Sequence, residues 1–120
     1  MAATEQVTAK GKRQMKVAIM QPYFLPYLGY WELLRAADKF VILDDVNFIT
    51  RGWINRNRIA LDGRPVWITI PIIKASQNKL IFELNLLNEG DWRTDLENKV
   101  KHSYREAPFR DETTSLFELL

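Results

Sequence analysis

Apolar residues mark out two kinds of segment along this chain. Lys16–Gln21 (KVAIMQ) is a short, unbroken apolar run, the pattern of a buried strand, and Pro22 closes it. Tyr23–Gly29 holds Pro26 and Gly29 and reads as a loop. In Tyr30–Ala37 (YWELLRAA), Trp31 and Leu34 recur at helical spacing. Lys39–Leu43 (KFVIL) repeats the buried-strand pattern and ends at Asp44-Asp45. Strand, helix and strand in so short a stretch predict a βαβ unit with parallel strands and a right-handed crossover.

Beyond Asp45 the period changes. Trp53–Leu61 alternates polar and apolar residues, Asp62-Gly63 is a turn dipeptide, and Val66–Ile70 resumes a strand, which together predict a β-hairpin. Pro71 and Lys74–Lys79 make a polar loop, and Leu80–Leu86 (LIFELNL) reads as a further strand or edge segment. Asp91–Tyr104 is an amphipathic helix: Trp92, Leu96, Val100 and Tyr104 recur every four residues, and Ala107-Pro108 ends it. Asp111–Leu120 opens as another helix, capped by Thr114 or Ser115, with Leu116, Phe117, Leu119 and Leu120 as its apolar side. It lacks a polar last turn or a glycine cap, so the reading is of a C-terminally truncated domain. The fold class is α/β: a parallel βαβ core, a β-hairpin excursion and a following amphipathic helix. Residues 1–15 read as a disordered basic tail and residues 16–120 as one domain.

Composition narrows the chemistry. The absence of cysteine removes disulfides, thiolate metal sites and cysteine nucleophiles. One histidine, His102, leaves too few nitrogen ligands for a zinc site within the chain. It lies about 200° round its helix from the apolar stripe, so exposure is expected. No apolar run approaches the roughly 18 residues of a membrane span, and none resembles a secretory signal, so a cytoplasmic protein is expected. The net charge of +2 is unevenly placed. Residues 1–16 hold four basic side chains and one acid, and the rest hold 13 basic and 14 acidic ones. The basicity belongs to the tail.

In an open α/β sheet, ligands bind beyond the carboxyl ends of the strands. Gln21 stands at that edge after the first strand, and Asp44 and Asp45 after the second. The loop between Pro22 and Tyr30 lies over the same edge and leads into a helix N-terminus, which favours anions. Its Tyr23, Tyr27 and Tyr30 offer stacking surface and phenolic donors, while Phe24, without a polar handle, is assigned to the core. Asp44 and Asp45 suit a general base, a sugar-hydroxyl acceptor or a magnesium ligand. The stretch from Arg51 to Arg58 (RGWINRNR) concentrates Arg51, Arg56 and Arg58, the amides of Asn55 and Asn57, and Trp53. Arginine forks suit phosphate or carboxylate. On a strand Asn55 and Asn57 share one face, and Arg56 and Arg58 the other. Asn47, Gln77, Asn78 and Lys79 complete the candidate binding set, the last three closing over the site.

Four strings, AIMQPYFLPYLGY (Ala18–Tyr30), DKFVILDDVNFI (Asp38–Ile49), RGWINRNRI (Arg51–Ile59) and KASQNKLI (Lys74–Ile81), resemble the WbqC-like family. The resemblance covers about Lys16 to Phe109. It implies a role in bacterial O-antigen or related surface-polysaccharide biosynthesis, with amino-acid, acyl or nucleotidyl transfer onto a sugar or nucleotide sugar. It also implies a longer protein of which this is the N-terminal half, so that a missing C-terminal half or an oligomer partner completes it. The tetrad Tyr27-Leu28-Gly29-Tyr30 between strand and helix is similar in layout to HxGH nucleotidyltransferases, with tyrosines where that family has histidines. Tyrosine can donate to a phosphate but is not a cation at neutral pH. Asp44, Asp45 and Tyr30 are the catalytic candidates, and the partner expected is a small anionic molecule. A non-catalytic sugar- or nucleotide-binding module is the alternative, and an RNA-binding protein, suggested by the tail and the Arg/Trp cluster, the weaker one.

Overall fold

The computed structural model describes residues 13–119. The expectation for the tail therefore falls largely outside the described residues. Of its described end, Arg13 pairs with Asp38 at 2.7 Å.

β1 (Val17–Met20) and β2 (Lys39–Ile42) pair in parallel, Val17 opposite Lys39 and Met20 opposite Ile42, and α1 (Leu28–Ala36) connects them. The βαβ order expected from the apolar runs is the one observed. α1 starts two residues early, at Leu28, with Tyr27 as an extended N-cap. Burial of the strands differs from expectation: of their residues only Ala18 is buried, while Val17, Ile19 and Ile42 are exposed. For Val17 and Ile19 the reason is the pair's single cover. Ala18 and Phe40 lie on one face, where the ring of Tyr30 stacks at 5.5 Å from Phe40. Val17 and Ile19 alternate onto the other face.

β3 (Arg56–Leu61) and β4 (Arg64–Thr69) form the hairpin. Asp62 and Gly63 both have positive φ, 49° and 74°, as a type I′ turn requires. A two-residue loop pins the register: Arg58 faces Trp67 and Ile59 faces Val66. The segment 80–86 is not a strand. Ile81–Glu83 is a single 3₁₀ turn between two isolated bridges, Asn47 to Leu80 and Ile72 to Leu86. The Glu83 carboxylate accepts from the Leu80 amide at 2.8 Å, and that local bond curls the chain away from a ladder.

α2 (Trp92–Ser103) lays Leu96 and Val100 against Ile59 and Ile68 of the hairpin, and Phe24, Trp92 and Phe117 pack on this cluster. Phe24 is thus a core residue, as its chemistry suggested. α3 (Arg110–Phe117) starts earlier than the candidate caps allow, with Phe109 at the N-cap. Ser115 is interior and donates its hydroxyl to the Asp111 carbonyl at 3.1 Å. Asp111 and Glu112 in the first turn suit the positive end of the helix dipole. His102 is exposed and lies 3.1 Å from the Asp62 carboxylate.

Candidate functional site

The loop after β1 is held in place by the hairpin. The Phe24 amide donates to the Trp53 carbonyl at 3.0 Å. Asn57, on β3, donates its side-chain amide to the carbonyls of Phe24 at 2.9 Å and Leu25 at 2.6 Å. Leu25 has φ of 47°, a left-handed conformation that costs a branched residue about 1–2 kcal/mol. The Asn57 clamp offsets that cost. Asn57 belongs to the alternating set that faces inward, with Ile59 two residues on, so the strand period itself aims the clamp at the loop.

Between this loop, the end of β1 and the hairpin lies a cavity of about 520 Å³. Tyr23, Tyr27, Trp53 and Asn57 line it with Met20, Leu25 and Pro26. It therefore unites four of the sequence candidates at the first strand–helix junction. Tyr27 and Trp53 are substantially exposed. Tyr30 is turned away: its ring is buried beside Tyr23 and Phe40, and its hydroxyl donates to the Gln21 carbonyl at 3.0 Å. Burial, and then the neighbouring Tyr23 phenol, raise its pKa above the ordinary 10.0. Of the tetrad's two phenols, Tyr27's faces the cavity and Tyr30's ties the helix to the strand end.

The remaining candidates fall into three groups around this cavity. Gln21, Asp44 and Asp45 follow the paired strands at one edge, where the Leu43 amide still bonds the Met20 carbonyl at 2.8 Å. Neither carboxylate lines the cavity. Among the described residues neither has a hydrogen-bond or ion-pair partner. In the second group the Arg56 guanidinium stacks 4.1 Å from the Trp67 ring and donates to the carbonyls of Gly52, at 3.1 Å, and Arg51. Arg51 holds a positive φ of 61° in this turn. Asn55 closes the hairpin on the opposite face, donating to the Ile70 carbonyl at 2.8 Å. Arg58 rises over both Trp67, at 5.3 Å, and Trp53, at 6.0 Å, and among the described residues its guanidinium has no hydrogen-bond acceptor. In the third group Asn47 donates to the Gln77 carbonyl at 2.8 Å, Gln77 donates to Thr50 at 2.5 Å, and the Phe48 amide bonds the Lys79 carbonyl at 2.9 Å. Gln77, Asn78 and Lys79 thus belong to a strap on the 46–50 segment, and do not line the cavity.

The sequence candidates omit Met20, Leu25, Pro26 and Trp67. The first three are apolar residues without chemical handles. Trp67 could have been found from the two-residue turn, whose register sets it opposite Arg58.

Residues 21–120 match the family model described as the WbqC-like protein family. A protein of Mycobacterium tuberculosis (strain ATCC 25618 / H37Rv), described as "Uncharacterized protein Rv1507c", is 40% identical over 78 residues. That stretch covers 64% of this chain and 33% of the mycobacterial protein. No solved structure matches the chain. No helix among the described residues is long and apolar enough to cross a membrane. The family match takes in the aromatic loop, the paired aspartates, the Arg/Asn hairpin and both later helices, and on it the chain belongs to the WbqC-like protein family.

Proposed function

We propose that this chain carries the substrate-recognition part of a transferase that acts on an anionic, hydroxyl-rich substrate such as a nucleotide sugar, in bacterial surface-polysaccharide biosynthesis. The observation that carries this reading is the aromatic cavity at the end of β1, lined by Tyr23, Tyr27, Trp53 and Asn57. Its volume, about 520 Å³, lies within the range of small-molecule sites. Trp53 offers a face for a base or sugar ring, and Tyr27 a donor to a hydroxyl or phosphate. The N-terminus of α1, starting at Leu28 beside the cavity, favours an anion. The Arg58 guanidinium, 6.0 Å from the Trp53 ring, supplies a fork for phosphate.

Asp44 and Asp45 stand at the same sheet edge as acceptors for a sugar hydroxyl or its proton. Tyr30 acts as a positioning residue, because its hydroxyl holds the Gln21 carbonyl and orients the loop. Catalysis would then rest on positioning and charge stabilisation.

Titration calorimetry with UDP-glucose tests the reading. Trp53→Ala is expected to weaken binding about tenfold, at the low end of a stacking contact of about 1–3 kcal/mol, with circular dichroism unchanged. Deleting residues 1–12 is expected to leave it intact. The reading fails if UDP-glucose and UDP do not bind. It fails also if binding is indifferent to Trp53→Ala and Arg58→Ala together. Preferred binding of RNA, falling steeply with salt, would replace it with the nucleic-acid alternative.

A further inference from the structure

A second cavity, of about 400 Å³, lies on the other side of Leu25 between β3, α2 and α3. Leu25 and Asn57 line both cavities, so the clamped loop is the wall between them. The second differs in character. Its interior is apolar, walled by Ile59, Val100, Pro108, Phe109 and Phe117. Ile59 and Val100 belong to the buried core, so its floor is dry, while Phe109 stands 71% exposed at the lip. An exposed phenylalanine at the mouth of an apolar cavity offers contact surface to an occupant. Arg58, Lys101 and Arg110 also line the cavity, and no carboxylate does. Glu97 pairs with Lys101 and Asp111 with Arg110 from outside the lining. Such a site has apolar walls and a cationic lining without acids. Asn57, Tyr104, Thr113 and Thr114 add polar groups to the lining, but its surface is mainly apolar, which matches it better to an acyl chain ending in a carboxylate than to a nucleotide.

We propose that this cavity binds a soluble single-chain carboxylate amphiphile, its hydrocarbon chain between β3, α2 and α3 and its carboxylate at Arg58, Lys101 and Arg110. The apolar area removed from water supplies the affinity. The cations select the charged head over a neutral one through charge-assisted hydrogen bonds. The two sites share Leu25, Asn57 and the reach of Arg58, but Tyr23, Tyr27 and Trp53 belong to the first alone, so filling this cavity tests it apart from the nucleotide-sugar reading.

The test is calorimetric titration of the intact chain with decanoate, decanol and acetate. Decanoate is expected to bind at least about tenfold more tightly than decanol, the lower bound set by one charge-assisted bond, and acetate not to bind measurably. Ala107→Phe, which places a ring among the lining residues, is expected to abolish decanoate binding and leave UDP-glucose binding as it was. If that variant fails to fold by circular dichroism, Thr114→Phe on α3 repeats the test. Lys101→Gln with Arg110→Gln is expected to bring decanoate down to the affinity of decanol. The proposal is overturned if decanoate does not bind below its micellar concentration, or if binding survives the filling variant. It is equally overturned if the chain takes up phosphatidylglycerol vesicles but not monomeric decanoate. A concentration-dependent dimer lost in Phe109→Ser, with no decanoate effect, would assign the lip to a second copy and also overturn it.

Discussion

Asn57→Ala isolates the contact on which both cavities depend. The side-chain amide of Asn57 satisfies two loop carbonyls, at 2.9 and 2.6 Å. Each such bond contributes about 0.5–1.5 kcal/mol net, so the pair is worth about 2 kcal/mol. The variant also frees Leu25 from its φ of 47°, and relaxation of that residue returns about 1 kcal/mol. The expected loss of stability is therefore modest, about 1–2 kcal/mol. The effect on the site is larger than the effect on the fold, because the wall shared by the two cavities moves. Urea unfolding followed by circular dichroism measures the first quantity, and amide exchange of Phe24 and Leu25 with UDP-glucose titration the second. Asn57→Asp sharpens the comparison: it keeps the shape and the acceptor for the Arg58 amide, 2.7 Å away, but points an oxygen at two carbonyl oxygens. It should destabilise more than alanine does. Unfolding within about 0.5 kcal/mol of the parent for both variants, with unchanged exchange at Phe24 and Leu25, would refute the clamp.

Three further outcomes are expected. Gly63→Ala should cost about 1 kcal/mol in urea unfolding, because φ is 74° and nothing within 4 Å of the added methyl offers contact or clash; Gly63→Asn should cost less. Arg56→Lys keeps the charge but loses the fork to the Arg51 and Gly52 carbonyls and the flat stack on Trp67, and should destabilise the hairpin by about 1 kcal/mol with a change in tryptophan fluorescence. Tyr30→Phe should cost about 1 kcal/mol at neutral pH for its bond to Gln21. It should also remove a slope at high pH. The folded hydroxyl, raised by burial above 10.0, stays protonated where the unfolded one ionises, so this contribution is complete below pH 10 and is lost as pH rises through the folded value. Unfolding midpoints between pH 8 and 11 for parent and variant check the sign.

The elements set by local pattern were readable in the residues alone. The apolar runs around Ala18 and Val41 marked the parallel strands. Asp62-Gly63 marked a turn whose two positive φ values few other dipeptides accept, and the Trp92–Tyr104 stripe marked α2. Alternation likewise separated Asn55 and Asn57 from Arg56 and Arg58. The 80–86 segment defeated the same reasoning, because one bond from Glu83 to the Leu80 amide outweighs a strand-like composition that has no neighbouring ladder to join.

What the sequence by itself determined, then, is the βαβ unit, the hairpin with its two-residue turn, and which residue types stand near the first loop. Their period and turn geometry are properties of neighbouring residues and need no distant partner. Only the tertiary structure decided which candidates meet. It turned Tyr30 inward and Tyr27 outward, fastened Gln77 to Thr50 away from the cavity, and tied Arg56 to its own turn. It also brought Asn57 to a loop 32 residues earlier in the chain, and so made Leu25 the wall between two cavities. Such meetings depend on how separate elements pack, and a side chain's spacing along the chain carries no record of that.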